Sequence, residues 1–508
     1  MYDWRPGSRR PARASGWGLT ILSILLMLVL TGPGAGPALA DSKREADTGL
    51  PLEDCTLGPS GLQARCGSYT VFENRAKREG PTIDLNIAVV PASGPDPAAD
   101  PVFFLSGGPG EPAVGLVEMI GLGPFESLNR EREIVLVDQR GTGKSNPLKC
   151  DLYEDEQALR QLLAVELFPE DSVTRCLEQT SADVTQYTTP IAMDDLDEVR
   201  EALGYEKINV IGGSYGARAA LVYLRRHPDH VRSVAISQPS PTHRAAALQS
   251  LRAGDDALRT LIADCAGEEA CRSAFPRLRE EIETVAERLG TEPARVTAAH
   301  PVTGEEVTVE ITRDAFLFGL RIMLYAPPTA AQVPLTVHGA MENDFQPIVM
   351  MLFRLGFMVE QILSPGMFLT VWCSEYDPMF TDRDLTRQAE GLLGTDQLLE
   401  RSREACSIWP KAELPEGYFE PVRSDVPVLI VTGEADPATP PGVGKELARH
   451  LSNRALVIVP GSGHQIEGGE CLQGIVDAFV SGGSADGLET ACLAAIGRSP
   501  FVVDPPGQ

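Results

Sequence analysis

Apolar residues fall into two arrangements along this chain, and the switch between them outlines the architecture. Apolar and polar positions alternate at Ser68 to Phe72 and Ile83 to Val89, which predicts an opening antiparallel pair of strands. Beyond the proline-rich turn Pro91 to Pro101 the runs become short and continuously apolar. They are Val102 to Leu105, Ile134 to Val137, Ile208 to Ile211, Val234 to Ile236, Val428 to Val431 and Leu456 to Val459. Strands of that kind are buried on both faces, as in a parallel sheet covered by helices. Helical stretches separate most of the runs. One is Asp194 to Leu203, with acidic residues at its start, where the helix dipole favours them. Strands alternating with helices predict an α/β fold with a mostly parallel sheet and both faces covered.

The alternation breaks between about Pro239 and Pro421. Helical periodicity dominates there, as in Leu258 to Cys265, Arg277 to Leu289 and Asp314 to Leu324, and no strand of the buried type stands out. Sheet-type strands resume directly afterwards, so 239–421 reads as a helical cap inserted between two parts of one core, 67–238 and 422–508. A separate second domain is the disfavoured alternative.

Residues 41–66 form an N-terminal extension whose first twenty residues, polar and Pro/Gly-rich, read as a partly ordered tether. The first forty residues read as an export signal. Arg5, Arg9, Arg10 and Arg13 open it, Leu19 to Leu30 is its apolar stretch, and Ala38-Leu39-Ala40 is a small-x-small cleavage site. The apolar run is shorter than a spanning helix requires, and an uncleaved anchor is the competing reading. The sequence lacks the apolar follow-up of a twin-arginine signal and has no cysteine at the cleavage site. The first favours the general secretory route to the periplasm or the exterior; the second argues against a lipoprotein, so no stable membrane anchor is expected after cleavage.

Charge and cysteines narrow the picture. The 508 residues carry a net charge of −27, which disfavours nucleic acid as a partner and would draw in a cationic substrate. All ten cysteines follow the signal, an even number that in an exported chain reads as disulfides. Their spacing suggests neighbour pairs: Cys55 with Cys66, Cys150 with Cys176, Cys265 with Cys271, Cys373 with Cys406, and Cys471 with Cys492. No CxxC occurs, so zinc and thiol redox chemistry lack support, and nothing implies a metal or organic cofactor.

Chemistry enters at Gly212-Gly213-Ser214-Tyr215-Gly216, which follows the run Ile208 to Ile211 and precedes a helical stretch from Ala217 to His227. Strand, sharp turn with serine, then helix make a nucleophile elbow. A serine hydroxyl needs a base, and the base needs a carboxylate to orient it. The strand Val428 to Val431 leads into Thr432-Gly433-Glu434-Ala435-Asp436, and Leu456 to Val459 leads into Pro460-Gly461-Ser462-Gly463-His464. Asp436, with Glu434 as alternative, and His464 therefore follow strand ends on the same rim as Ser214. Oxyanion donors are expected from the Tyr215 N–H and from the loop Ser106-Gly107-Gly108-Pro109-Gly110, where Gly107 and Gly108 are equal candidates.

SGGPG at 106–110, DQRGTGKS at 138–145, GGSYG at 212–216, TGEADPATPP at 432–441 and GSGH at 461–464 occur in order. Together they resemble the proline iminopeptidase and tripeptidyl aminopeptidase branch of the α/β-hydrolase fold. The match runs from about residue 68 to residue 480, and the exported, disulfide-bearing build is more similar to the secreted tripeptidyl aminopeptidases. The resemblance implies a Ser214, Asp436, His464 triad, a site-shaping loop at Asp138 to Ser145, and a peptide substrate with a free N-terminus. Where iminopeptidases usually have His before GGPG, this chain has Ser106, which weakens transfer of their proline preference. Members of this branch bind the substrate ammonium with acidic cap residues. Glu375, beside Cys373, is the first candidate here, with Asp377, Glu342 and Asp344 behind it. Two rival readings remain: an esterase with the same triad, and a noncatalytic binding protein on a hydrolase fold.

Overall fold

The computed structural model describes residues 49–504 except 151, 153–166, 300–303 and 393–395. The expected signal lies outside the described residues. Eleven strands are described: β1 (Glu53–Leu57), β2 (Leu62–Phe72), β3 (Thr82–Val90), β4 (Val102–Leu105), β5 (Ile134–Val137), β6 (Ile208–Gly213), β7 (Val231–Ser237), β8 (Ala294–Ala299), β9 (Glu306–Ile311), β10 (Val428–Gly433) and β11 (Arg454–Val459). Nine form one sheet in the order β1-β2-β3-β5-β4-β6-β7-β10-β11. The first three strands and the β3–β5 junction are antiparallel. From β5 through β11 every pairing is parallel.

Side-chain alternation divides the apolar runs between the two faces, which is why each run is continuous in sequence. Phe103, Leu105, Val135, Val137, Val210, Val428 and Ile430 join one core; Val102, Ile134, Leu136, Leu429 and Val431 join the other. The second core is closed by the helices Ala113–Ile120 and Gly469–Gly482, through Val114, Val117, Ile475 and Phe479. The first core takes in the helices Thr189–Ala202 and Tyr215–Arg226 and continues into the segment between β7 and β10.

That segment is helical, and its Leu261, Phe316, Phe345 and Trp409 belong to the same apolar cluster as the sheet face below. It also holds one element missed in the sequence, the hairpin β8–β9. Only Val296, Ala298, Val309 and Ile311 are buried in it, so no continuous apolar run marks it. β1 corrects a second reading. Glu53–Leu57, expected within a loose tether, pairs with β2 from Leu57↔Leu62 to Glu53↔Cys66. It is an edge strand with a single buried residue, Leu57, and so carries too little apolar signal to be read as a strand. The five disulfides are the neighbour pairs that the spacing suggests, Cys55–Cys66 tying β1 to β2.

The sheet order reverses at β4, whose neighbours are β5 and β6. Crevices form beyond the strand ends at such a switch point. The register pairs Leu105 with Gly212, so the loop after β4 and the loop after β6 leave the sheet side by side. The approach is close because Gly216 has no side chain. A Cβ there would stand 2.2 Å from the Leu105 carbonyl oxygen and 2.8 Å from that of Ser106. Both are backbone atoms, one in the last residue of a central strand and one in the residue after it, and cannot step aside. Gly216→Ala is expected to destabilise the fold by at least the ~1–3 kcal/mol typical of overpacking. A denaturant melt measures this, and an unchanged midpoint would show that the helix can lift off β4 freely.

Candidate active site

Ser214 sits where β6 turns into the helix Tyr215–Arg226, with φ 56° and ψ −116°. A left-handed serine is strained, and the surroundings hold it there: its N–H donates to the Ser237 carbonyl at the end of β7 (3.0 Å). The side chain thereby stands clear of both strand and helix. His464 Nε2 lies 3.1 Å from Ser214 Oγ, and His464 Nδ1 lies 2.9 Å from Asp436 Oδ2 and 3.0 Å from Oδ1. An ionised carboxylate only accepts, so Nδ1 carries the proton and Nε2 presents its lone pair to the serine hydroxyl.

Asp436 is held more tightly than its partners. Oδ1 accepts from the Ala438 and Thr439 N–H groups at 2.7 and 2.9 Å, and Oδ2 accepts from the Thr439 hydroxyl at 2.8 Å. Burial alone would raise its carboxyl, but the His464 imidazole and these donors outweigh it and keep the group below the usual carboxylate range. Its side chain is fully buried and that of His464 is 15% exposed. The rival acid, Glu434, is exposed and accepts instead from the Gly461 N–H.

His464 is braced from two sides by residues the sequence reading missed. Gln238 Nε2 donates to its carbonyl (2.6 Å), and the Tyr325 ring meets the imidazole edge-on at 5.1 Å between centroids. Thr439 was missed as well, although its place three residues after an aspartate in a Pro-rich turn is a recognisable side-chain-to-backbone turn signal.

On the other side of Ser214, the Tyr215 N–H opens a helix and has no intrahelical carbonyl to meet. The 106–111 loop closes on itself through Ser106 Oγ donating to the Glu111 carbonyl. The Gly107 N–H donates to Glu111 Oε2 at 2.9 Å. The Asp138–Ser145 loop lies alongside. Buried Asp138 accepts from Asn86, the Val114 N–H and the Lys144 N–H, while Gln139 accepts from the Tyr215 hydroxyl at 3.2 Å.

Residues 100–274 match the family model described as alpha/beta hydrolase fold, and residues 393–492 match the one described as TAP-like protein. The chain is similar to the serine protease Hip1 of Mycobacterium tuberculosis, at 24% identity over 93% of this chain and 96% of that one. It is also similar to the tripeptidyl aminopeptidase of Streptomyces lividans, at 29% identity over 40% of each chain. A proline iminopeptidase of Neisseria gonorrhoeae matches at 32% identity over 29% of this chain and 36% of that protein. This chain is a serine hydrolase of the α/β-hydrolase peptidase family.

Within this peptidase, Glu375 is not where a substrate ammonium can reach it, which corrects the sequence reading. The residue is fully buried. Its Oε1 accepts from the Thr189 N–H (2.7 Å), and its Oε2 accepts from the Thr189 hydroxyl (2.9 Å), Arg218 Nε (3.2 Å) and the Tyr418 hydroxyl. Arg218, also fully buried, returns a bond to the Glu375 carbonyl (2.8 Å) and lies 4.2 Å above the Tyr376 ring. The pair joins the inserted segment to the helix that begins at Tyr215.

Of the alternatives, one is buried and two are exposed. Asp377 is buried against Lys411 (2.7 Å) and Arg403 (3.2 Å), while Glu342 and Asp344 are exposed at a turn. Two histidine–carboxylate groups, Asp197 with His227 and His230 and Glu446 with His243 and His450, bring their polar atoms within 4.8 Å of one another. Arg200 at 2.8 Å from Asp197 and Arg244 at 3.3 Å from Glu446 make them ion-pair clusters, and neither is hydrogen-bonded to Ser214, His464 or Asp436.

Removing the Glu375 carboxylate should strand the buried Arg218 guanidinium. Glu375→Ala is expected to lower unfolding free energy by about 3–5 kcal/mol, read by chemical denaturation. A stable variant whose only defect is a raised KM for free-amine substrates would restore Glu375 to substrate binding.

Proposed function

We propose that this protein is an exported aminopeptidase that releases residues or short peptides from peptide N-termini through an acyl-enzyme. The observation that carries the reading is the unbroken chain Ser214–His464–Asp436, at 3.1 and 2.9 Å, on the rim where β6, β10 and β11 end. In this reading His464 Nε2 takes the Ser214 proton as Oγ attacks the scissile carbonyl. Asp436 fixes the tautomer and stabilises the imidazolium that forms. The N–H groups of Tyr215 and of Gly107 or Gly108 receive the oxyanion, each such donor being worth about 10²–10³ in turnover. His464 then passes its proton to the leaving amine, and water repeats the cycle on the acyl-enzyme.

Residues 239–421 act as the cap over this rim. Two backbone contacts support that role: the Gln465 N–H donates to the Tyr325 carbonyl, and the Ser364 N–H donates to the Gly110 carbonyl. The segment thus touches both the histidine loop and the glycine loop. The tripeptidyl aminopeptidase and proline iminopeptidase relatives favour a peptide with a free amine. Five disulfides favour an oxidising location, periplasmic or extracellular.

Ser214→Ala is expected to lower kcat by about 10⁶ if the three residues act as a unit. Near wild-type turnover in that variant would remove the mechanism. The substrate class is tested by mono-, di- and tripeptidyl chromogenic substrates, each beside its N-acetyl form. An aminopeptidase cleaves the free-amine series preferentially, whereas equal rates on both series point to an esterase or general acyl hydrolase.

A further inference from the structure

With Glu375 sealed in the core, one carboxylate at the site remains unexplained. Glu111 directly follows the glycine loop, and its Oε2 occupies the Gly107 N–H at 2.9 Å. Its surroundings differ from those of the other carboxylates around Ser214. Asp436, Asp138 and Glu375 each accept from at least three protein donors. Among the described residues Glu111 has only the Gly107 N–H, and no Arg, Lys or His pairs with it. It is half-buried, and desolvation pushes its carboxyl above the usual range against that one bond. A desolvated carboxylate with one donor and no counter-ion is a receptor for a cation.

The position of the carboxylate makes the arrangement consequential. A Cβ on Gly107 would stand 3.3 Å from Glu111 Oε2 and 3.8 Å from the Gly213 carbonyl oxygen, so the residue that holds the carboxylate also borders the elbow. One N–H cannot serve both a resident carboxylate and a developing oxyanion. Two negative charges side by side in a water-poor crevice also oppose each other. In the free enzyme the Gly107 donor is therefore taken.

We propose that Glu111 is the receptor for the substrate's N-terminal ammonium and that its capture opens the oxyanion hole. The ammonium draws the carboxylate off the Gly107 N–H, neutralises it, and leaves that donor pointing at the scissile carbonyl. No covalent bond changes in this step; an ion pair replaces a hydrogen bond. The inference rests on the aminopeptidase reading and deepens it, because a free amine then assembles the site as well as anchoring the substrate. Binding energy spent in that way appears in kcat as well as KM.

The experiment compares wild type, Glu111→Gln, Glu111→Ala and Glu111→Asp on one free-amine peptidyl chromogenic substrate and its N-acetyl form. Thermal melts and labelling by a neutral fluorophosphonate are run on the same samples. Wild type is expected to favour the free amine. The Gln and Ala variants are expected to lose about 10- to 100-fold of that preference, the range of a charge-assisted hydrogen bond. Their activity on the N-acetyl substrate should hold or rise, and Asp should recover part of the preference. An unchanged preference in Gln and Ala overturns the proposal while leaving the aminopeptidase reading in place. Loss of fluorophosphonate labelling at an unchanged melting temperature also overturns it, since Glu111 would then only scaffold the loop. A wild-type preference near one overturns the aminopeptidase reading, and this inference with it.

Discussion

The pairing of β4 with β6 is the constraint on which the site depends. Leu105 opposite Gly212 places Gly107 and Ser214 each two residues beyond the last paired position, on adjacent strands running the same way. Candidate nucleophile and glycine loop are thus brought together by backbone hydrogen bonds at the centre of the sheet, before any side chain takes part. The switch in strand order at β4 leaves the space above them open. β10 and β11 then deliver Asp436 and His464 to the same rim through the same parallel geometry. A candidate triad whose parts lie 250 residues apart in sequence is in this sense a property of strand register.

The helix after the elbow carries a second constraint. It begins at Tyr215, whose hydroxyl meets Thr189 and Gln139, and one turn later presents Arg218 to Glu375. Both charges are buried, so each needs the other, and the two tyrosines and the threonine around them complete the bonding. The inserted segment is therefore fixed to the helix that supports the nucleophile, and an error in packing there reaches the strained Ser214 backbone within a few residues.

The candidate triad was legible because each member follows a strand through a short turn, and periodicity reveals strands of the continuously apolar kind. Edge elements were not legible: β1 buries only Leu57, and a polar strand looks like a tether until its partner is known. Glu375 was misread for a related reason. Its environment is set by Arg218, 157 residues earlier, and Thr189, 186 residues earlier, and one acid among 71 carries no mark of such partners. Glu111 was within reach only in part. A charged residue directly after a glycine loop is visible in the sequence, but that its carboxylate takes the Gly107 N–H is visible only once the loop is folded.

The inserted segment meets the site's loops in part through main-chain atoms alone, Tyr325 carbonyl to Gln465 N–H and Ser364 N–H to Gly110 carbonyl. A bond between two backbones is indifferent to what side chains they bear. Replacing Tyr325 or Ser364 leaves these two bonds intact, although the Tyr325 ring against His464 would be lost. This part of the docking is thus separable from the side chains that the inserted segment carries, which can change without undoing how it is held. In this architecture the side chains above the candidate site are free to drift while the main-chain frame beneath them stays fixed.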